Sequence, residues 1–226
     1  MSDFKKAART DHKLRSAVFG PAGSGKTRFA LELAKALCPE GKRVAFIDTE
    51  GGRAREYADL FDFDEAQLEK FSVQDYLAMM TDAYKSGLYG VLVIDSLSAF
   101  WDGPGGILAQ KDQAGGRFDA WAKLNPQIKR LMDAIVRYPT HTICTMRTRT
   151  EWVEQVDDRG KKSFVSAGKG PAFKDGAVYE FSFFASLDQD HTIRVLKSPP
   201  GSELDGYSGD SVTGDVIQRL KEWCNA

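Results

Sequence analysis

Short apolar runs alternate along the first part of the chain with segments whose apolar residues recur at helical spacing. The runs predict buried strands at residues 16–19, 43–47, 88–95 and 141–146. Between the first two runs, Phe29, Leu33 and Leu37 share one helical face. Residues 53–87 predict two helical pieces with a short strand near Phe71. This alternation predicts a parallel sheet with helices on both faces.

Later parts of the chain show hairpin patterns. Residues 152–166 alternate in polarity about a turn, and residues 177–197 read as two strands joined by a polar turn. Residues 213–224 have the spacing of an amphipathic helix. We therefore expect an α/β fold, with a mostly parallel twisted sheet, helices on both faces and antiparallel strands added at one edge.

Glycine and proline mark the irregular segments. Residues 101–118 are rich in glycine and show no period, which predicts a loop. Asn125 and Pro126 predict the N-cap and the first position of the following helix. We expect a polar leader at residues 1–15 and one core at residues 16–226, which is long enough to bury an apolar interior without disulfides.

Composition narrows the class of protein. The 226 residues are 42% hydrophobic and 28% charged, as in ordinary globular proteins. Lys and Arg total 31 against 32 Asp and Glu, which excludes an all-over cationic surface but allows a local basic strip. Cys38, Cys144 and Cys224 are far apart and odd in number, which predicts reduced thiols. Since no segment resembles a signal peptide or a membrane span, we expect a cytoplasmic protein with no membrane partner.

The sequence GPAGSGKT at residues 20–27 matches the phosphate-binding P-loop in full, between a predicted strand and a predicted helix. Its glycines let backbone N–H groups surround phosphate oxygens at a helix N-terminus. Lys26 is expected to reach the β- and γ-phosphates, and the Thr27 hydroxyl to bind Mg²⁺. The alternative is a glycine-rich turn that matches the pattern by chance. Such a turn would not need a strand before it and a helix after it. The nucleotide-binding candidates here are Gly20, Pro21, Ala22, Gly23, Ser24, Gly25, Lys26, Thr27 and Arg28.

Two further predicted strands end in acidic residues. Asp95 follows four apolar residues and is placed to hold Mg²⁺ through water, with a strand-capping carboxylate as the alternative. Asp48 and Glu50 end a strand that we expect beside the P-loop strand, which would bring both acids near the γ-phosphate. Hydrolysis of a nucleotide needs a group that orients or deprotonates the attacking water, and we assign Glu50 to that role. Asp48 has no assigned role and is equally consistent with a solvated loop acid.

Together these motifs resemble the ATP-binding core of RecA-type recombinases, and the compact chain looks most like the short RecA-like ATPases encoded by phages. The resemblance runs from about Phe4 to Ser198. It implies bound ATP and Mg²⁺, with Glu50 as the catalytic base and Tyr57 stacked near the adenine. It also implies that Lys197 reaches across a protomer interface to the ATP of a neighbour.

The chain departs from that family at three positions. Where the family carries a Gln that relays the γ-phosphate state to the second DNA-binding loop, this chain offers Thr145. A second lysine acting across the interface is replaced by Pro199, and an adenine-contacting Asp by Ala54. The first departure puts the usual coupling between ATP and DNA in doubt.

Local charge supplies the candidates for DNA binding. Residues 159–174 contain five cations and no acids, with two Phe side chains between them, a combination suited to single strands. When charge alone is considered, a solvated hairpin with incidental lysines is the favoured alternative. The resemblance places the family's two DNA-binding loops at residues 102–118 and 147–176. The candidates are Lys111, Arg117, Arg147, Arg149, Arg159, Lys161, Lys162, Lys169 and Lys174.

The leader contains FKKA at residues 4–7, a pattern by which some recombinases dock onto the next protomer through positions equivalent to Phe4 and Ala7. A frayed terminus is the alternative.

The leading hypothesis is an Mg²⁺- and ATP-dependent recombination or annealing protein that binds single-stranded DNA and assembles into a filament or ring. A single-strand binding protein is a further candidate partner, and the location is the host-cell cytoplasm if a phage encodes the chain.

Three other functions stay open on the same scaffold. One is a module that ATP switches between states of DNA annealing or loading, with little turnover. A ring helicase core shares the three nucleotide motifs. A small-molecule kinase would use residues 147–174 as a lid, but would leave the acids after the second strand without a purpose.

Overall fold

A computed structural model describes residue 6 and residues 12–156, 162–212 and 214–225. Phe4 and Ala7, the predicted docking residues, lie outside the described residues, as do Arg159 and Lys161 of the predicted DNA-binding set. Within the described ranges, no helix combines the length and the apolar character needed to cross a membrane.

The amino-terminal part alternates strands and helices. Its elements are β1 (Arg15–Gly20), α1 (Lys26–Leu37), β2 (Arg43–Asp48), β3 (Asp64–Gln67), α2 (Val73–Ser86), β4 (Tyr89–Asp95), α3 (Ser98–Asp102), α4 (Ile107–Gln113) and α5 (Trp121–Val136). The remaining elements are β5 (His141–Val156), β6 (Lys162–Pro171), β7 (Phe183–Leu187), β8 (Thr192–Lys197), β9 (Ser208–Asp210) and α6 (Val216–Asn225). Short 3₁₀ turns occupy Arg53–Tyr57, Phe118–Ala120 and Ala177–Glu180.

The strands lie in the order β3-β2-β4-β5-β1-β7-β8-β9, and β6 pairs with the outer half of β5. All neighbouring pairs from β3 to β7 are parallel, whereas the β7–β8, β8–β9 and β5–β6 pairs are antiparallel. The predicted fold class is therefore confirmed. Because β1, β2, β4 and β5 are parallel, their carboxyl ends meet at one edge of the sheet, which is where ligands bind in folds of this kind.

Two apolar layers cover the sheet, one on each face. On one face, α2 and α5 contribute Tyr76, Ile128 and Leu131 to a buried cluster. On the other, the predicted face of α1 packs with α6, and Phe29 and Leu220 are fully buried there. Burial on both faces explains why β4 is apolar along its length.

Several local predictions were wrong because tertiary contacts overrode local signals. The strand expected near Phe71 lies earlier, at β3, and Phe71 packs as a core side chain. The expected loop at residues 102–118 contains α4, anchored by the fully buried Ile107. Helix α5 begins before the expected Asn-Pro start, at Trp121, whose ring stacks on Trp101 with centroids 5.9 Å apart.

Candidate nucleotide-binding site

The P-loop connects the end of β1 to the start of α1. Its backbone requires glycine: Gly23 and Gly25 have φ of 77° and 84°, a left-handed conformation. A Cβ on Gly20 would lie 2.5 Å from the carbonyl oxygen of Leu187. The Lys26 Nζ donates a hydrogen bond of 2.8 Å to the Pro21 carbonyl and so lies across the loop. Burial lowers the pKa of the Lys26 ammonium.

Thr27 and Asp95 meet behind this loop. The Thr27 hydroxyl donates to Asp95 Oδ2 at 2.6 Å, and the buried Thr145 hydroxyl donates to Asp95 Oδ1. Burial raises the pKa of Asp95 to about 6, although both hydroxyl donors oppose the shift. Hydroxyl and carboxylate oxygens are ligands that Mg²⁺ prefers, and Mg²⁺ at phosphate sites needs only one or two protein ligands. These residues therefore fit a nucleotide-bound Mg²⁺.

The tip of β2 is organised by Asp48, the acid left without a role by the sequence. Its side chain is 2% exposed, so the reading as a solvated loop acid was wrong. One carboxylate oxygen accepts the Glu50 N–H at 2.6 Å, and the other accepts the Gly52 N–H. Asp48 thus closes a tight turn that carries Glu50. Thr49 ties this turn to the residue that follows β4, because its hydroxyl accepts the Ser96 N–H at 2.8 Å.

A cavity of about 660 Å³ lies at this edge of the sheet. The structure brings most of the predicted nucleotide-binding residues to its wall: Gly20, Pro21, Ala22, Gly23, Gly25, Lys26, Thr27, Glu50 and Tyr57. It does not bring Ser24, Arg28 or Asp95 there; Ser24 is fully buried and Asp95 lies behind Thr27.

The cavity also contains residues that sequence reasoning missed. They are Thr49, Arg53, Glu56 and Thr148. The first three lie between or beside Glu50 and Tyr57, so the segment joining those two candidates was the available signal. Thr148 had no such signal, because β5 was expected to end at residue 146 and instead continues to Val156.

Arg147 also lines the cavity, although it was predicted to bind DNA. Its guanidinium pairs with the carboxylate of Asp102. Its backbone pairs in parallel register with Gly20, the first residue of the P-loop. On β5, Arg147 and Thr148 therefore face the nucleotide cavity, whereas Thr145 is buried behind them against Asp95.

The two predicted cations of the glycine-rich segment, residues 102–118, have partners nearby. The Lys111 ammonium lies 5.6 Å from the ring centroid of Trp121. The Arg117 guanidinium lies 3.4 Å from a carboxylate oxygen of Asp119. Between Arg117 and Asp119, the Phe118 side chain is 89% exposed.

The predicted cations of the second segment are spread over β5, β6 and the turn that follows. Arg149 pairs with Asp175, and the Lys174 ammonium donates to Asn125 Oδ1 at 3.0 Å. Lys162 begins β6, and Lys169 lies near its end with an exposed side chain.

Lys197 lies away from the nucleotide cavity of its own chain. Strand β8 runs antiparallel to β7, and Lys197 pairs with Phe184 near the amino end of that strand. Its ammonium donates to the Tyr179 carbonyl at 3.0 Å. Contact between Lys197 and a nucleotide would therefore need a second copy of the chain.

Comparison with known proteins gives one family match and several relatives. Residues 12–204 match the AAA domain family. The chain is 30% identical over 93 residues to DNA repair and recombination protein RadB of Methanococcoides burtonii, covering 37% of this chain and 41% of that protein. It is 31% identical over 91 residues to RadB of Thermoplasma volcanium, covering 37% and 39%.

A longer match is to Protein RecA of Chlamydia pneumoniae, at 26% identity over 189 residues, covering 82% of this chain and 49% of RecA. The chain thus spans less than half the length of each of these three relatives. The shared region supports a RecA-like P-loop core.

Proposed function

The chain belongs to the AAA domain family, and from that premise we propose that it is a Mg²⁺-dependent ATPase of DNA recombination that acts on single-stranded DNA. One observation carries the proposal: Glu50 lines the same cavity as Lys26 and Thr27. A P-loop alone binds nucleotide, whereas a carboxylate beside it equips the site to activate water. Two relatives are named for DNA repair and recombination, which supports DNA as the polymer on which the ATPase would act.

Each residue has a defined task in this proposal. The P-loop amides and Lys26 bind the phosphates of ATP. Thr27 and, behind it, Asp95 would hold Mg²⁺, and the metal ion would neutralise negative charge on the phosphates when it is bound. Glu50 accepts a hydrogen bond from the attacking water and takes its proton. Tyr57, at the same cavity, packs against the adenine.

DNA binding and self-assembly belong to the same proposal. The cations of residues 102–118 and 147–176 would neutralise DNA phosphates, and Lys197 would reach the nucleotide of a second copy from the opposite edge of the sheet. Residues 1–15 would act as a leader for docking, and residues 16–226 as one ATPase core in the cytoplasm. An assembly with little turnover, in which ATP switches DNA annealing, remains the second candidate, because the position expected to carry a relay Gln carries the buried Thr145.

An ATPase assay on four proteins tests the catalytic part. We expect Glu50→Gln to lower turnover at least about 100-fold while ATP affinity stays within a few-fold, since the group removed acts on water. Lys26→Ala should weaken ATP binding itself. Glu69→Gln, the same charge change at an exposed position outside the cavity, should behave like the native protein. Undiminished hydrolysis by Glu50→Gln would contradict the assignment.

The DNA part is tested by adding single-stranded DNA to the same assay. We expect turnover to rise, and the rise to shrink as salt increases, because phosphate contacts are screened. A Lys161/Lys162/Lys169 triple alanine variant should lose most of the stimulation while keeping its rate without DNA. Equal stimulation of both proteins would exclude these lysines from the DNA site.

A further inference from the structure

A cavity of about 1050 Å³ lies at the amino edge of the sheet, opposite the edge that holds the nucleotide cavity. It is formed where the chain enters β1, β5 and β7 and where it leaves the antiparallel strand β8. Lys197 is the one described lining residue that the proposed nucleotide chemistry uses. The rest of this cavity has no ligand in the proposed function.

Cations dominate the wall of this amino-edge cavity. They are Lys13, Arg15, Arg137 and Lys197, and Glu180 is the one acid among the described lining residues. Because the whole chain has a net charge of −1, this excess of positive charge is local. Within the described ranges, Lys13, Arg15 and Arg137 form no ion pair with an acid. The wall is therefore suited to an anionic ligand.

Arg15 carries a charge that is almost completely buried, since the residue is 7% exposed. Its Nε donates to the Val136 carbonyl at 2.9 Å and its Nη1 to the Thr140 carbonyl at 2.6 Å, at the carboxyl end of α5. These carbonyls and the helix end orient and attract the guanidinium, but they do not carry a full negative charge. Burial lowers the pKa of Arg15 to about 10. A carboxylate in the cavity would offset the cost of burying this charge.

Two histidines beside the cavity respond to the same positive charges. Burial, followed by nearby cations that include Lys13 and Arg15, lowers the pKa of His141 to about 4. Burial, followed by the charge of Arg15, also lowers the pKa of His12. Both imidazoles are therefore mainly neutral at pH 7, and the lysines and arginines alone attract the anion.

The wall also has an apolar part that a simple anion would leave uncovered. The Tyr179 side chain is 81% exposed and that of Val136 is 37% exposed, although both are large and apolar. Pro139 and Pro200 are exposed at the same cavity. Exposed aromatic and arginine side chains around a concave apolar surface are typical of protein interfaces. A ligand that covers this wall needs an apolar group close to its negative charges.

Two other anionic or nearby segments fit less well. Single-stranded DNA binds by stacking bases on exposed rings, and Tyr138 and Trp223 of this wall are buried, which leaves Tyr179 as the exposed ring among the described lining residues. The leader of this chain, residues 1–11, contains three cations and two acids, so it offers no complementary charge. An acidic protein segment has both the charge and the apolar side chain.

We propose that the amino-edge cavity binds an acidic segment of a partner protein, in which an apolar side chain is flanked by carboxylates. The apolar side chain packs against Tyr179 and Val136, and the carboxylates pair with Lys13, Arg15 and Arg137. This inference goes beyond the proposed function and does not rest on it, because it needs neither ATP nor DNA.

Fluorescence anisotropy with a labelled synthetic peptide, in which Phe lies between runs of Glu, tests the site without nucleotide. One control peptide has Gln in place of every Glu, and a second has Ser in place of Phe. We expect the Glu–Phe peptide to bind the full chain at least about tenfold more tightly than either control. Its affinity should fall as salt increases, because charge pairs at a cavity rim are screened. Absence of binding by the Glu–Phe peptide would overturn the inference.

Protein variants locate the bound peptide. The double variant Lys13→Gln/Arg137→Gln should bind the Glu–Phe peptide about tenfold more weakly, and Tyr179→Ser several-fold more weakly. The double variant Lys70→Gln/Arg130→Gln removes the same charges from exposed positions outside the cavity, so it should bind like the native chain. Equal affinity of the Lys13/Arg137 and Lys70/Arg130 variants would place the peptide elsewhere and overturn the inference.

Two further measurements distinguish other occupants of the cavity. An oligonucleotide of dT that binds more tightly than the peptide, and loses affinity in Lys13→Gln/Arg137→Gln, would assign the cavity to nucleic acid instead. Light scattering that shows a concentration-dependent dimer, abolished by Tyr179→Ser, together with no binding of peptide, would assign it to a second copy of the chain. Either result would overturn the proposed acidic partner and leave the ATPase proposal unaffected.

Discussion

Replacing Thr145 with valine removes one of two hydroxyl donors from the buried carboxylate of Asp95. Valine has nearly the shape of threonine, so the perturbation is the lost hydrogen bond rather than a cavity. A hydrogen bond to a charged group contributes about 1.5–3 kcal/mol to stability. Since the Asp95 side chain is buried and water cannot replace the donor, we expect Thr145→Val to lower the free energy of unfolding by about 2 kcal/mol at pH 8.

The same strand offers a matched control, for which the change in the free energy of unfolding should not have the sign expected for Thr145→Val. Thr142 is also fully buried on β5, but its hydroxyl has no hydrogen-bond partner among the described residues. An unpaired buried hydroxyl costs free energy, and an apolar group of the same shape removes that cost. Thr142→Val should therefore be neutral or stabilise the fold by about 1 kcal/mol.

The pH dependence of Thr145→Val has a defined sign. Burial raises the pKa of Asp95 from 3.8 to about 6, so at pH 8 the folded protein holds the charged form and at pH 5 mainly the neutral form. Loss of the Thr145 donor raises that pKa further, and this penalty is present only above it. The difference between variant and native protein should thus shrink as the pH falls from 8 to 5.

Urea unfolding without nucleotide, at both pH values, measures these differences. Valine variants at positions 142 and 145 that change stability by the same amount would refute the geometry on which the reasoning depends. A Thr145→Val penalty equally large at pH 5 would show that the lost interaction does not involve the Asp95 charge.

Three further predictions concern the turn after β2, the amino edge of the sheet and the metal. Asp48→Ala should destabilise the fold by about 2 kcal/mol and lower turnover more than ATP affinity, in urea and ATPase assays, because it frees the Glu50 and Gly52 amides. Burial, followed by nearby positive charges, lowers the pKa of His141 to about 4 from 6.5, and its Nδ1 accepts the Leu14 N–H at 3.1 Å. The unfolded chain takes up that proton first, so stability should fall by about 2–3 kcal/mol between pH 7 and pH 4.5, and less so in His141→Asn, as urea unfolding would show. Chelation of Mg²⁺ should abolish ATP hydrolysis and its re-addition restore it, in the same ATPase assay.

Local sequence was sufficient for the elements that position the phosphate. The P-loop, the apolar β4 and the helical face of α1 each depend on residues adjacent in sequence, and the structure has all three. The parallel sheet and its antiparallel edge followed from the alternation of predicted elements. The strand order did not, because β2 was expected beside β1 and the structure has β4 and β5 between them. The assignment of Glu50 to catalysis remains a prediction, although its place at the cavity wall follows from the same local pattern.

Contacts between distant residues account for what the sequence could not predict. Strand β3 contains Asp64, Glu65 and Gln67, which are not typical of a strand, and it forms because β2 offers a free edge. The role of Asp48 depends on a turn in which its carboxylate meets two amides, and acidic residues in the printed sequence give no sign of their burial.

The position of the relay residue shows how one strand boundary changes a functional assignment. With β5 ending at residue 146, Thr145 is the last side chain of its face and appears to meet the nucleotide. In the structure β5 runs to Val156, because beyond Thr148 its partner is β6 and not β1 or β4. Side chains two residues apart share a face of a strand, so those of Thr145 and Arg147 point the same way. Thr145 is buried against Asp95, whereas Arg147 lies farther along the strand. Thr145 therefore orients Asp95, and Arg147, two residues later, is the side chain of this face that lines the nucleotide cavity.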